Sequence, residues 1–309
     1  VDEYTANGVA FAMVPVEGGT FQMGKSADGN DVNPIHSVTL SSYSIGETEV
    51  TQALWTAVMG SNPSHWQGVL PVEQVSWDDC QTFITKLNTQ LADQLPEGKV
   101  FRLPTEAEWE FAAKGGNKSK GYTYSGSNNI DDVAWYYDNS GNLTFPTHPV
   151  AQKRANELGI YDMTGNVFEW CQDWYGDYSS SAQTNPTGPT SGFRRVVRGG
   201  SWGNPAGICR MTSRNYSTPA SGTALLGFRL VLGDPIIEPE VFNVGGGVEF
   251  AMVPVEGGTF QMGSYDGHSN EKPVHSVTLS SYYIGQTEVT QALWKAVMGT
   301  NPSYFKGDN

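Results

Sequence analysis

Three cysteines (Cys80, Cys171, Cys209) and five histidines (His36, His65, His148, His268, His275) are the side chains best suited to redox or metal chemistry. Their spacing argues against both. A disulfide framework or a zinc ligand set needs pairs or short spacings, and these cysteines are odd in number and far apart. The histidines form no i,i+4 pair and no cluster, so a histidine-rich iron or zinc centre is not expected. Glu106, Glu108 and Glu110 alternate as acid/base residues can. Glu106 and Glu108 also fit a helix start, where the helix dipole favours acids. Arg194, Arg195 and Arg198 form a close basic group, and a structural role is expected for it. Arg198, Arg210, Arg214 and Arg229 are expected to pair with the acids, and Trp109, Trp170, Trp174 and Trp202 to pack in the core or beneath loops.

The elements that must position these residues are short. Phe11–Val14 and Gly19–Met23 run apolar or alternate around Glu17-Gly18-Gly19, which predicts a hairpin. His36–Leu40 and Tyr43–Ile45 continue in extended pattern. Thr48 to Met59 reads as a helix stopped by Gly60, with Val50, Leu54, Ala57 and Val58 on one face. Ser76-Trp-Asp-Asp79 and Thr105-Glu-Ala-Glu108 are capping boxes. The first opens a helix with Cys80, Phe83, Ile84, Leu87 and Leu91 on one face. The second opens a helix closed by Gly115-Gly116. Beyond Gly116 the chain reads as short strands and loops, so a mixed α+β domain with two substantial helices is expected.

Composition agrees and narrows the function. Hydrophobic residues make up 38% of the chain, enough for a packed core, while 36 glycines and 16% charged residues point to a loop-rich fold. A formal charge of -14 argues against a nucleic-acid partner, because phosphate binding needs clustered Lys and Arg. No stretch approaches the roughly 20 apolar residues that span a bilayer. The first residue is Val1 rather than Met, so removal of a leader is one expectation.

Self-similarity sets the domain organisation. Residues 11–68 and 250–307 both begin FAMVPVEGGTFQMG and hold register without a gap, with 41 of 58 positions identical. Most differences fall at Lys25–Asn33 against Ser264–Lys272, the pattern of a variable surface loop. The offset of 239 residues is far too long for a solenoid, so the units are tandem domains. A complete domain is expected over 1–232, a Pro- and acid-rich linker over 233–246, and a partial second copy over 247–309. A quarter-domain cannot bury its own core, so it must be disordered, docked on the first domain or paired with another chain. A truncated reading frame is the simplest origin for it.

Seven motifs in order identify the first unit: VPVEGGTFQMG, HSVTLSSYSIGETEVTQ, PVEQVSWDDC, FRLPTEAEWEFAAKGG, GIYDMTGNVFEWCQDWYG, RVVRGGSW and GFRLV. In this order the chain resembles the formylglycine-generating enzyme (sulfatase-modifying factor) family, whose fold is a variant of the C-type lectin fold. The family's name implies oxidation of a substrate cysteine by two closely spaced enzyme cysteines that bind copper as thiolates, a ligand type that suits soft Cu(I). Here GGSW is followed by a single cysteine, Cys209, which falls outside both catalytic positions in alignment. Copper and formylglycine chemistry are therefore not expected, and Cys209 reads as a small core residue. The family's iron-dependent oxidases carry a separate helical domain with metal-binding histidines, for which this sequence has no counterpart.

The resemblance also implies structural calcium. It maps a side-chain oxygen onto Asp162, backbone carbonyls onto Gly165 and Val167, and a carboxylate onto Glu169, a set that suits a hard cation seeking six to eight oxygens. The competing reading is a plain turn at Gly165-Asn166 with Glu169 solvated or paired with an arginine. The family's second calcium pattern is not matched over Asn128–Trp135, where Asp131 and Asp132 read as a loop cap. Two functions follow. In the first, the domain is a non-catalytic binding or display module for a protein, peptide or glycan. Asn204, Tyr216 and Ser217 then form its recognition surface, and self-association through the second copy is open to it. This reading suits a secreted, periplasmic or cell-surface location. The alternative is an oxidoreductase of the formylglycine-generating type, or another enzyme using the same groove.

Overall fold

An Asn-Gly pair between two apolar runs is a strong local signal for a tight hairpin, because both central residues of the turn need positive φ. In the computed structural model Asn7 and Gly8 adopt φ of 46° and 84° and join β1 (Asp2–Ala6) to β2 (Val9–Val16). Residues 1–25, 33–141, 147–236, 240–255, 257–265 and 267–305 are described. They fall into two compact units, Val1–Pro235 and Ile236–Asn309. Most of the sequence-variable loop, residues 26–32, lies outside the described residues, as do 237–239 in the linker and 306–309 at the end of the second copy.

The hairpin expected around Glu17–Gly19 does not form. β3 (Gly19–Met23) turns away from β2 and pairs with β4 (His36–Leu40), while β2 pairs with β5 (Tyr43–Gly46). Where the chain passes from one sheet to the other, a Cβ on Gly18 would stand 2.5 Å from the Leu40 carbonyl oxygen and one on Gly19 2.2 Å from Asn117 Oδ1. The first helix also starts later than its periodicity suggests: α1 runs Gln52–Met59, capped by the Thr51 hydroxyl on the Leu54 N–H. Val50 precedes that cap and gives its N–H to the Phe228 carbonyl instead. Both capping boxes are present, at the starts of α2 (Trp77–Gln90) and α3 (Glu106–Ala113). Each such cap contributes about 1 kcal/mol.

The remaining strands of the first unit are β6 (Val100–Arg102), β7 (Phe168–Trp174), β8 (Gln183–Thr184), β9 (Arg195–Arg198), β10 (Arg214–Ser217), β11 (Leu226–Gly227) and β12 (Val231–Gly233). They make sheets in the orders β1-β2-β5-β12-β6, β10-β9-β7-β11 and β3-β4-β8. The first sheet is buried on both faces, as strand alternation demonstrates: Met13 joins one hydrophobic cluster and Val14 and Val16 the other. On the first face α1 and α2 pack through Trp55 and Phe83, whose rings stack 5.2 Å apart. On the second, α3 inserts Trp109 and Phe111 beside Ile160, Met163 and Val196. The architecture is mixed α+β, with three α-helices of eight, 14 and eight residues among the described residues of this unit.

The second unit contains β13 (Glu240–Asn243), β14 (Glu249–Val255), β15 (Gly258–Met262), β16 (His275–Leu279), β17 (Tyr282–Gly285) and α4 (Gln291–Met298). Its local structure matches that of the first unit at the corresponding residues. Met252 pairs with Gly285 as Met13 pairs with Gly46, and Thr290 caps α4 as Thr51 caps α1.

Candidate functional site

All eight residues of α3 are buried, which places three glutamates where an unpaired charge would be costly. Each is neutralised. Glu106 is held bidentately by Arg214 at 2.7 and 2.8 Å, and Glu108 by Arg102 at 2.7 Å through two nitrogens. Glu110 meets Arg198 and Lys114 and also accepts the Gly24 N–H. Arg195, of the basic group noted in the sequence, lies between the rings of Trp77 and Trp174. These acids and arginines therefore tie loops to the core. Of the four tryptophans, Trp109 and Trp170 are fully buried, whereas Trp174 and Trp202 are half-buried beneath loops.

The segment from Tyr161 to Trp170 is a tightly curled loop. Asp162, Gly165 and Asn166 have φ of 58°, 79° and 58°, the left-handed region. A Cβ on Gly165 would stand 2.2 Å from the Trp135 carbonyl oxygen, so only glycine fits there. Glu169 receives Arg229 through both carboxylate oxygens at 2.6 Å and the Trp109 indole N–H at 2.6 Å. The arginine-paired arrangement is thus present. Asp162 accepts the Ala151 N–H at 2.7 Å. Glu49, which the sequence reading did not single out, comes to the same place and accepts from the Val167 N–H and the Asn166 amide.

Three buried carboxylates, Glu49, Asp162 and Glu169, therefore surround one guanidinium, that of Arg229. The imbalance is visible in their acidities. Burial, then the charges of Asp162 and Glu169, push Glu49 well above its usual range. Burial pushes Asp162 up to about 6. Excess buried negative charge of this kind is relieved by a proton or a cation. Asp162 and Glu169 stand at the two ends of the curled loop, with both Glu169 oxygens engaged by Arg229 and one of them also by Trp109. Among the described residues no three of His, Cys, Asp and Glu converge as a ready-made metal cluster, so backbone carbonyls would have to complete the set. At the position of the family's second calcium pattern, Asp131 and Asp132 accept from Tyr136, Asn139, Ser127 and Asn129 within their own loop.

The three cysteines lie in three different hydrophobic clusters and are all free. Cys209 is fully buried with its Sγ near the carbonyls of Ser201 and Asn204, and burial pushes its thiol up to about 12. Of the residues expected to form a polar recognition loop, only Tyr216 is exposed. Tyr216 and the half-buried Ser217 belong to β10, not to a loop, because β10 pairs residue for residue with β9. The Tyr216 ring lies against Tyr175 at 4.6 Å and beneath the Arg194 guanidinium at 4.3 Å. Asn204 is half-buried, with its carbonyl accepting from the Tyr137 N–H and its side chain from the Ser201 hydroxyl.

The signal for Glu49 was present, since TEVTQ recurs in both copies, but a repeated glutamate in a helix-like run reads as a surface residue. Asp173 was also missed. It is buried at the end of β7, accepts the Glu106 N–H at 2.8 Å, and is pushed up to about 8 by burial and by the Glu106 charge.

Comparison with known proteins places this geometry. The family model described as "Sulfatase-modifying factor enzyme 1-like domain" matches residues 3–233 and again 247–307. The chain is 39% identical over 232 residues to "Chaperone protein LppX" of Paenibacillus barcinonensis, covering 62% of this chain and 78% of that one. It is 30% identical over 289 residues to the formylglycine-generating enzyme of Streptomyces coelicolor, covering 70% of this chain and 87% of the enzyme. Among solved structures, Treponema denticola variable protein 1 superposes with a TM-score of 0.68 at 39% identity, covering 74% of this chain and 98% of that one. Several other relatives are longer, and the chain spans 37% and 53% of the length of two of them. The motif order, the mixed α+β sheets and these matches agree: the chain belongs to the sulfatase-modifying factor enzyme 1-like domain family and has the formylglycine-generating-enzyme fold.

Proposed function

We propose that the first unit is a non-catalytic binding or display module that recognises a protein, peptide or glycan. The observation that carries this reading is the isolation of Cys209: the other two cysteines belong to separate clusters, and burial raises all three thiols. A thiol held protonated is neither a nucleophile nor a soft copper ligand, and one residue does not make a bis-thiolate site. The test is incubation of the full chain with copper, oxygen and a cysteine-bearing peptide. No aldehyde should form and no stoichiometric copper should be retained. Aldehyde formation would overturn this reading and restore the oxidoreductase alternative.

The recognition surface centres on Tyr216, with Ser217 beside it and Asn204 contributing from the loop after Trp202. Tyr216 carries Arg194 over its ring, an exposed aromatic-cation pair of the kind that anchors protein and glycan contacts. One relative is named a chaperone protein, which accords with binding rather than turnover. A net charge of -14 disfavours nucleic acid as the ligand. No helix among the described residues is long and apolar enough to cross a membrane. A secreted, periplasmic or cell-surface location is proposed with this role.

Calcium is proposed as a structural ion of this unit, held by Asp162 and Glu169 and by the carbonyls of Gly165 and Val167, with Glu49 adding to the field. The uncompensated charge around Arg229 supports it. The ion would neutralise that charge and fix the curled loop. Metal analysis of the purified chain should find about one calcium, and EDTA should lower Tm. An unchanged Tm with no bound calcium would sink the site. Self-association through the second copy is proposed as well. In this copy Ile284, Trp294 and Val297 are exposed, although their counterparts in the first copy are core residues.

A further inference from the structure

A cavity of about 290 Å³ opens beside β3, β4, the start of α3 and the chain following β7. This is the small end of the range for ligand sites. Asp173 and His36 line it, at 4% and 3% exposure. Each gives one polar atom to the protein and leaves the other unused. Asp173 Oδ2 accepts the Glu106 N–H at 2.8 Å. His36 Nδ1 lies 3.2 Å from the Pro34 carbonyl oxygen and can only donate to it, so in the neutral imidazole Nε2 is the acceptor. Among the described residues nothing donates to Asp173 Oδ1 or to His36 Nε2, and neither atom is sealed from the cavity.

The charges are unbalanced in the same direction. Glu106 also lines the cavity, but Arg214 cancels it bidentately and the Tyr178 hydroxyl donates to it at 3.1 Å. Asp173 and, at the rim, the exposed Asp177 have no cation of their own in the lining. Tyr178 and Trp174 also line it, each with a guanidinium already over its ring, Arg214 at 4.0 Å and Arg195 at 3.6 Å. Two buried acceptors and a surplus of negative charge specify a positively charged N–H donor.

We infer that this cavity binds a primary ammonium group, carried by a small alkylamine or by a lysine side chain, with Asp173 Oδ1 and His36 Nε2 accepting its N–H donors. The site uses none of the residues of the Tyr216 surface, so either can fail without the other.

The groups facing Asp173 set its pH behaviour. They are Glu106 and Glu108 from α3, Arg214 from β10, and His36, Asp177 and Tyr178 around the cavity. Burial and Glu106 hold Asp173 at about 8, so an ammonium must displace its proton at lower pH. An alkylammonium stays charged to about pH 10, so affinity should rise about tenfold between about pH 7 and about pH 9.

The experiment is calorimetry of the full chain with n-butylamine, with lysine amide acetylated on its α-nitrogen, and with n-butanol as the neutral isostere. At least one amine should bind with the tenfold pH rise, and n-butanol should not. Preference for n-butylamine marks a free small amine as the ligand, and preference for the lysine derivative marks a peptide side chain. Asp173→Asn keeps an acceptor for the Glu106 N–H and should abolish both binding and the pH rise. Asp177→Lys, at an exposed rim position that leaves folding intact, should weaken binding at least tenfold. Absence of heat with either amine, equal binding of n-butanol, or unchanged binding in Asp177→Lys would overturn the inference.

Discussion

Residues 11–68 and 250–307 share 41 of 58 amino acids and the same strand pairings, yet they bury their side chains differently. Ile45 is fully buried and its counterpart Ile284 is 54% exposed; Trp55 is 3% exposed and Trp294 42%. Local structure is therefore written into this stretch, whereas its core is not. In the first copy the core is completed by α2, β6, β7, β12 and Phe228, all of which come from residues beyond 68. Hydrogen-bonded strands and a capped helix need only near neighbours, but burial needs a complementary surface.

The largest expected effect sharpens this contrast. Trp55→Ala should cost the first unit about 3–5 kcal/mol, because it removes a large side chain stacked on Phe83. Trp294→Ala should change the main thermal transition by less than about 0.5 kcal/mol. Equal losses would mean that the second copy owns a core of the same quality, and the comparison would break.

Arg229 tests what the complementary part of the first unit brings to the repeated part. Arg229→Met leaves Glu169 and Glu49 buried without their cation and should cost about 3–5 kcal/mol in chemical denaturation. A loss below about 1 kcal/mol would mean that the carboxylates are neutralised by something other than this arginine.

The pH dependence follows with its sign. Asp162 is raised from 3.8 to about 6, so its contribution to stability is complete below 3.8 and is lost as pH climbs through about 6. In calcium-free buffer, stability should fall by about 3 kcal/mol across that window. Excess calcium should restore it at neutral pH by favouring the ionised carboxylate. A flat profile in both buffers would remove Asp162 from the site.

The smallest effect concerns the helix caps that the two copies share. Thr51→Ala should lower the stability of the first unit by about 1 kcal/mol. Thr290→Ala should leave the main transition alone and accelerate amide exchange only within α4.

Much of the fold was legible because its signals are local. Ser76 and Asp79, and Thr105 and Glu108, cap helices through atoms three residues apart, and the motif order specified the family over the whole first unit. Errors arose where a partner is distant. The apolar pattern beginning at Thr48 looked helical, but Val50 is drawn to Phe228 and the helix waits for Thr51. The glycines at 18 and 19 looked like a hairpin turn, but β3 and β2 enter different sheets.

By itself the sequence determined the capping boxes of α2 and α3, the family and the single cysteine after GGSW, and it marked the loop from Asp162 to Glu169. Only the tertiary structure decided which charges meet. It brought Glu49 to within reach of Asn166 and Val167 across more than a hundred residues, closed Arg229 on Glu169, and left Asp173 Oδ1 facing a cavity. The physical reason is that caps and turns act over one helical turn. Charge compensation and burial depend on distance in space, which in a loop-rich fold bears little relation to distance along the chain.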